Sequence, residues 1–361
     1  MMRVRMGVVG TGRMAVTMIG AAARLKTVTV RGVASASGSI QRARNITAAF
    51  GISDAYSHPA LMLAREDLDL IYVATATSAH AAISIAALEA GKSVLCEKPF
   101  AVSHSEGNSV IDAARKSRRL FVEAFWTMLL PAHRRVEEII DTRGIGTATH
   151  LTASFGYPPH TLSREASDAH GGVLFDRAVY PVSLAVKLMG PVERVDAALI
   201  FGADDVDIEA SLQLLHASGG VSHLAASHAT LLSNEAVISG TGGSVTIEAP
   251  LLGSEMITIR KYEGRPSAGT VKTLYSLQDF KERLRAIPTL RRLRRRLTDG
   301  RHERMPYGTN QYLPLLQHVV ELVRSEKRES DVVPLELSQE VARVIDLAGS
   351  AAHRLHKRST P

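Results

Sequence analysis

Two short motifs in this chain have residue types and spacing suited to chemistry, and both follow runs of apolar residues. Gly10-Thr11-Gly12-Arg13-Met14-Ala15 comes directly after Met6 to Val9, and Glu97-Lys98-Pro99 directly after Ser93 to Cys96. In a parallel α/β sheet, ligands sit at the carboxyl ends of the strands. Both motifs fall at such ends, so a glycine cradle and a cation would share one crevice. Gly10 permits the tight turn and Gly12 lets a pyrophosphate approach the backbone, while free N–H groups of the following helix meet its charge. An ordinary strand-to-helix turn also uses glycine. Here the strand pattern before, and the helical face of Met14, Met18, Ala21, Ala22 and Leu25 after, favour the phosphate reading. The pair of motifs has the geometry expected of a nicotinamide-dependent oxidoreductase.

The elements that must position these residues are legible in the pattern. Strands are predicted at Val4 to Val9, Val28 to Ala34, Leu70 to Ala74, Ser93 to Cys96 and Leu120 to Ala124, with helical patterns between them. Right-handed crossovers then give one doubly wound parallel sheet. After Pro131 a helix from about Ala132 to Thr142 leads into strands near Thr147 to Phe155, Val192 to Ile200, Ile208 to Leu214, Val221 to Ala229, Ala236 to Ser239, Ser244 to Glu248 and Glu255 to Arg260. Strands without intervening helices predict a largely antiparallel sheet with one buried face. Two amphipathic helices close the chain, one with Tyr312, Leu315, Leu316, Val319 and Val323, the other with Val341, Val344, Ile345, Ala348 and Leu355. The fold class is α/β, in two domains: 1–127 for a dinucleotide and 128–361 for substrate and assembly.

Composition narrows the function classes. No apolar run approaches the ~20 residues that span a bilayer, and the first strand pattern begins almost at Met1, so a cytoplasmic protein without a membrane partner is expected. The single cysteine, Cys96, ends an apolar strand and reads as packing, with no disulfide framework. His216, His223 and His228 are scattered over strands without zinc-site spacing, so no metal is expected. The formal charge of +7 is concentrated in one place. Residues 281–304 hold ten Lys or Arg and three acids, which accounts for all of it. Leu284, Ile287, Leu290, Leu293 and Leu297 recur there at roughly helical spacing around Pro288. This reads as a broken amphipathic helix with a solvated basic face, or as a clamp for an anion. No nucleic-acid motif accompanies it, and no nucleic-acid partner is expected.

The sequence resembles the glucose–fructose oxidoreductase/inositol dehydrogenase (Gfo/Idh/MocA) family over most of its length except about residues 262–305. The resemblance rests on the glycine fingerprint, Thr75-Ala76-Thr77 with His80, Glu97-Lys98-Pro99-Phe100, Gly171-Gly172 with Asp176 and Tyr180, and the turn Gly240-Thr241-Gly242-Gly243. Glu123-Ala124-Phe125-Trp126 and Tyr180-Pro181-Val182 look most like its dihydrodiol and aldose dehydrogenase branch. The resemblance implies a Rossmann domain followed by an α/β domain with an open sheet used to form a homodimer or homotetramer. It implies Lys98 beside nicotinamide and substrate oxygen, Tyr180 as acid/base, Asp176 as orienting carboxylate, and Thr75, Ala76, Thr77, His80 and Glu97 near the cofactor. The charge of Lys98 would favour an ionised Tyr180, whose reference pKa of ~10 is otherwise high for a base. The chain departs from the family pattern at Ala76, Thr77, Met128, Arg177 and Ala178; Arg177 would either favour an anionic substrate or face water. The implied reaction joins a nicotinamide to a secondary alcohol or ketone of a sugar, polyol or dihydrodiol-like substrate. Two rivals keep the fold: a hydrolase or lyase oxidising a glycoside transiently with NAD, and a non-catalytic NAD(P)-binding regulator.

Which nicotinamide is used turns on the second strand. NAD-preferring domains usually carry Asp or Glu about 20 residues after the glycines. Here the strand runs into Ser35-Ala36-Ser37, and no acid appears before Asp54. Ser35 and Ser37 offer hydroxyls to a 2′-phosphate and Arg42 offers charge, so NADP is favoured over NAD. The basic segment, by contrast, has no counterpart in the family core. Replacing Arg291, Arg292, Arg294, Arg295 and Arg296 by glutamine is expected to leave kcat within a few-fold in a steady-state assay. A collapse of turnover with the fold intact would instead place the segment at the active site.

Overall fold

Burial on both faces decides the first third of the chain. The computed structural model describes residues 3–158, 172–262 and 300–356. Its first elements are β1 (Val4–Val9), α1 (Arg13–Ala22), β2 (Val28–Ala34), α2 (Ile40–Phe50), β3 (Asp54–Tyr56), α3 (Pro59–Leu63), β4 (Leu70–Val73), α4 (His80–Glu89), β5 (Ser93–Cys96), α5 (His104–Ser117) and β6 (Phe121–Glu123). The strands pair in parallel in the order β3-β2-β1-β4-β5-β6. Every residue of β4 and β5 is buried, as a parallel sheet covered on both faces demands. The strand order reverses between β1 and β4, which opens a crevice beyond their carboxyl ends.

The second sheet follows different physics. After α6 (Pro131–Asp141) come β7 (Ala148–Gly156), α7 (Val179–Met189), β8 (Val192–Phe201), β9 (Asp207–His216), β10 (Val221–Ser227), β11 (Ala236–Gly240), β12 (Gly243–Ile247), β13 (Met256–Lys261), β14 (Arg301–Arg304), α8 (Leu313–Arg324), α9 (Leu335–Ala351) and β15 (His353–His356). The order is β14-β13-β12-β11-β7-β10-β9-β8-β15, antiparallel except where β7 meets β10 and β8 meets β15. Along β9, Ala210, Leu212 and Leu214 are buried while Ser211 and Gln213 are exposed. Helices α6, α7 and α9 pack on this sheet. Thr152, Ser154, Ser211, Gln213 and His223 line a shallow hollow of about 460 Å³ along it. Helix α8 packs on α1 and β1, and α9 packs on α5 and β6 as well as on α7 and β8, so the chain's last helices join the two sheets.

Several expectations need correction. Strand β3 was not expected; its three residues carry no alternation, and it forms only by pairing at the edge of β2. The final helix ends at Ala351, and Leu355 lies exposed in β15 rather than on the helical face. Residues Arg301 to Arg304 of the basic segment form β14 against β13, not helix; its remaining basic residues lie outside the described residues. Among the described residues no helix is long and apolar enough to cross a membrane.

Candidate active site

At the β1/β4 crevice the glycine turn is built as the sequence implies. Gly10 has φ +128°, and a Cβ there would meet the Ala74 carbonyl oxygen at 2.1 Å, so only glycine lets β1 and β4 close together. A Cβ on Gly12 would meet nothing within 4 Å, which leaves that side of the turn open. Gly12 is the N-cap of α1, which has no side-chain cap and no acid in its first turn. Its free N–H groups and positive dipole end therefore suit a diphosphate. Thr11 is half-buried, Arg13 is exposed and Met14 is half-buried beside them. At the end of β2, the Ser35 hydroxyl is buried 3.2 Å from that of Ser37. Arg42 stands exposed near the start of α2, without an ion pair or hydrogen bond among the described residues. Asp54 is turned away, bound to Arg65. The donor set fits a dinucleotide, and among the described residues no carboxylate stands beside Ser35 and Ser37 at the end of β2.

Lys98 occupies the end of β5, and its side chain is only 11% exposed. The ammonium donates to the Asp176 backbone carbonyl at 2.6 Å and to Asp176 Oδ1 at 3.2 Å, and it lies 4.7 Å from the centre of the Tyr180 ring. Asp176 and Tyr180 are four residues apart but do not share a regular α-helix. Leu174 to Ala178 form a π-helical turn that runs into α7. In that register the donor to the Asp176 carbonyl would be Pro181, which has no N–H. The freed carbonyl is the one that Lys98 takes. Asp207 Oδ2 accepts the Leu174 N–H at 2.7 Å and anchors the start of the turn. A Cβ on Gly172 would lie 1.7 Å from that carboxylate, so glycine is required there as well.

The electrostatics follow from this packing. Burial works against the Lys98 ammonium, but Tyr180, Asp176 and Glu97 outweigh it and hold its pKa above the ordinary lysine value. Burial likewise opposes the Asp176 carboxylate, yet Lys98 and His228 hold it well below the usual carboxylate range. For Tyr180 the outcome differs from the expectation of an ionised phenol. Burial raises its pKa, the Lys98 charge lowers it, and burial wins, so the phenol stays protonated. Trp126 Nε1 donates to the Tyr180 hydroxyl at 3.3 Å, and Phe155 packs edge-on to its ring at 5.7 Å. Such a constellation can give a proton to a carbonyl oxygen while a neighbouring cation steadies the charge that develops there.

Two family models match this chain: the NAD-binding Rossmann fold of the oxidoreductase family over residues 4–125, and the GFO/IDH/MocA C-terminal domain over residues 133–246. The chain belongs to the Gfo/Idh/MocA oxidoreductases. It is 28% identical over 249 residues to trans-1,2-dihydrobenzene-1,2-diol dehydrogenase of Xenopus laevis, covering 68% of this chain and 76% of that one. It is 30% identical over 250 residues to dTDP-3,4-didehydro-2,6-dideoxy-alpha-D-glucose 3-reductase of Streptomyces antibioticus, covering 68% and 76%. Its fold is similar to that of a 3-ketoreductase from Actinomadura kijaniata solved with NADP and TDP-benzene, with a TM-score of 0.79 and 23% identity over 98% of this chain and 99% of that one.

The family's other motif residues are placed unevenly. Thr75 and Thr77 are half-buried and Ala76 exposed, in the loop after β4. His80, expected near the cofactor, is 2% exposed, with Nδ1 2.7 Å from the Pro99 carbonyl and Nε2 3.1 Å from the Thr75 carbonyl. Burial lowers its pKa, and the neutral ring has a single N–H, so it donates to one of these carbonyls and only lies against the other. Glu97 is also buried, accepting the Tyr72 hydroxyl at 2.5 Å, and burial pushes its carboxyl up. Arg177 does not reach outward for an anion. Its Nη1 donates to the Tyr157 carbonyl at 2.6 Å and the Ser227 carbonyl at 2.5 Å, which braces the site wall. His228 has no metal-site spacing and belongs to the active site instead: its Nε2 lies 3.1 Å from Asp176 Oδ2. The signal was there: a histidine immediately after a strand end that the fold turns toward the crevice.

One buried carboxyl lies just behind the Lys98 turn. Glu123 Oε1 accepts the Phe100 N–H at 3.1 Å, Oε2 has no hydrogen-bond partner within normal distance among the described residues, and burial, opposed by Ser338 and the Phe100 N–H, pushes the pKa up to about 8. A folded-state value raised above the unfolded one gives stability that is full below about 4.5 and is lost as pH rises through about 8. Glu123→Gln keeps an acceptor and removes the charge. Its stability relative to the native chain is expected to grow by about 4 kcal/mol between pH 5 and 9, at about 1.4 kcal/mol per pKa unit. Urea unfolding across that range checks this, and a pH-independent difference would mean that Glu123 does not titrate there.

Proposed function

We propose that this oxidoreductase reduces the ketone of a sugar, polyol or dihydrodiol-like substrate, or oxidises the matching secondary alcohol, with NADP preferred over NAD. The observation that carries the reading is the convergence of a charged Lys98, an ionised Asp176 and a protonated Tyr180 at the carboxyl end of the parallel sheet. Residues 1–127 would hold the cofactor and 128–361 the substrate. The turn Gly10 to Met14 would bind the diphosphate, Ser35, Ser37 and Arg42 the adenosine end, and Thr75, Ala76, Thr77, Glu97 and Lys98 the nicotinamide side. The nicotinamide, when bound, supplies or accepts the hydride. Tyr180 gives its phenolic proton to the substrate oxygen in reduction and recovers it in oxidation. Lys98 polarises that oxygen and stabilises the phenolate left behind, and Asp176 fixes Lys98 and orients substrate hydroxyls. With Tyr180 neutral and Lys98 charged, the site holds the proton that reduction of a carbonyl consumes. A carbohydrate-like substrate is supported by the sugar reductase and dihydrodiol dehydrogenase relatives, whose named substrates both carry adjacent oxygenated carbons. A second copy of the chain would cover the hollow of the nine-stranded sheet.

Lys98→Met and Tyr180→Phe should each reduce kcat by about a hundredfold or more, the scale of general acid/base catalysis. Because the two act as a unit, the double variant should be little slower than either single one. A ketose panel followed by nicotinamide absorbance measures both, and near-native turnover in Tyr180→Phe would remove the phenol from the mechanism.

The cofactor preference has its own test. Ser35→Asp introduces a carboxylate that repels a 2′-phosphate and accepts from a ribose hydroxyl. It should move the NADP-to-NAD ratio of kcat/KM toward NAD by about tenfold or more, while Arg42→Ala weakens NADP and spares NAD. A native chain that prefers NAD tenfold would overturn the assignment of Ser35, Ser37 and Arg42.

A further inference from the structure

At the opposite, amino end of the parallel sheet lies a cavity of about 960 Å³ between the sheet and the end of α8. Its lining is strongly cationic. Arg3, Lys92, Arg118 and Arg119 come from the sheet side, and Arg324, Lys327 and Arg328 from α8 and the turn after it. Three carboxylates share the lining, Glu66, Asp69 and Glu326. Asp69 is already committed to Arg5 at 2.6 Å, and Arg324 to Glu321 at 3.6 Å. The other six cations make no ion pair among the described residues.

Lys92 is the decisive member. It is 6% exposed, and its ammonium has neither an ion pair nor a hydrogen bond among the described residues. Burial pulls it below the ordinary lysine value, Asp67, Asp69 and Glu66 act in its favour from a distance, and Arg119 acts against it. The stem is buried while the ammonium faces the cavity, with no side chain among the described residues bound to it.

Helix dipoles are the competing explanation, because α4, α5 and α8 all end here and a helix C-terminus attracts cations. The magnitudes decide. Three C-termini carry roughly half a negative charge each. With Glu66 and Glu326 they neutralise between three and four of the six unpaired cations, which leaves an excess of roughly two and a half charges. Guanidinium forks and a lysine ammonium match phosphate oxygens, and the volume suits a small molecule of nucleotide size.

We propose that this cavity is a second ligand site, separate from the dinucleotide crevice, for a small polyanion bearing two or more phosphate groups. Lys92 is the most buried of its cations, and the exposed Arg118, Arg119, Lys327 and Arg328 stand around it. The concave shape favours a compact anion over a nucleic-acid strand.

The test uses the full chain with NADP saturating, so that the glycine turn is filled, and titrates inorganic tripolyphosphate by calorimetry at ~0.15 M salt. One tripolyphosphate per chain is expected, with affinity reduced tenfold or more by Lys92→Met and by Arg119→Gln, and NADP affinity unchanged in both. If Lys92→Met fails to fold, judged by circular dichroism, the exposed Lys327→Gln with Arg328→Gln carries the test and should weaken binding several-fold. Binding that vanishes when NADP is added, or that is equal in all variants, overturns the proposal. So does a short RNA or DNA strand that displaces tripolyphosphate at equal phosphate concentration, because that would make the face a nucleic-acid surface.

Discussion

The arrangement of this enzyme depends on one difficult placement, a lysine ammonium at the closed end of a parallel sheet. Lys98 follows four buried residues and has little water to solvate it. A charge so placed must be paired and hydrogen-bonded or it loses its proton. The compensation comes from the other half of the chain: a carbonyl freed by Pro181, the carboxylate of the same residue, and the face of Tyr180. The first sheet supplies a cation that it cannot satisfy, and the second sheet supplies the groups that satisfy it. The junction between them is therefore also the place where reacting atoms meet charge. Asp207, His228 and Arg177 then hold those groups from behind, each through contacts to the π-helical turn or the strand ends beside it.

That same pairing fixes which chemistry is easy. A cation over the ring draws the phenol toward ionisation, while burial pushes it the other way, and in this structure burial prevails. The site therefore rests with one ion pair and one neutral acid. Such a site has a proton to give and a positive charge ready for an oxygen that becomes negative. The reverse reaction needs the substrate hydroxyl to surrender a proton to phenolate, which a protonated tyrosine must first lose.

Much of this was legible in the sequence because its causes are local. The βαβ alternation, the glycine turn and a lysine after an apolar strand are each fixed by a few neighbouring residues, and the first sheet follows them closely. What escaped has tertiary causes. Strand β3 has three residues and exists because β2 leaves an edge to pair with. The polar Arg301 to Arg304 and the short His353 to His356 likewise become strands only by joining the edges of the nine-stranded sheet. The π-helical turn cannot be read from an i, i+4 spacing; it requires knowing that Asp207 grips Leu174 and that Pro181 lacks a donor. His80 stands between the loops after β4 and β5, against carbonyls of residues far apart in the chain. His228 looked like a stray strand histidine because its partner, Asp176, is 52 residues away in the chain.

The two ends of the parallel sheet show how backbone dipoles set the number of side chains that a ligand needs. At the carboxyl end, α1 points its N-terminus outward, and the turn around Gly12 is open. Backbone N–H groups there already attract phosphate, so that turn needs no side-chain cation beyond the exposed Arg13. At the amino end the helices present their C-termini, and their dipoles repel an anion. Cations are then required first to cancel the helix ends and only afterwards to attract a ligand. A lining that merely cancelled its dipoles would stop at one or two basic residues. Six that make no ion pair among the described residues, Lys92 included, exceed that requirement even after Glu66 and Glu326 are subtracted. The excess, rather than the presence of basic residues, separates a ligand site from ordinary capping.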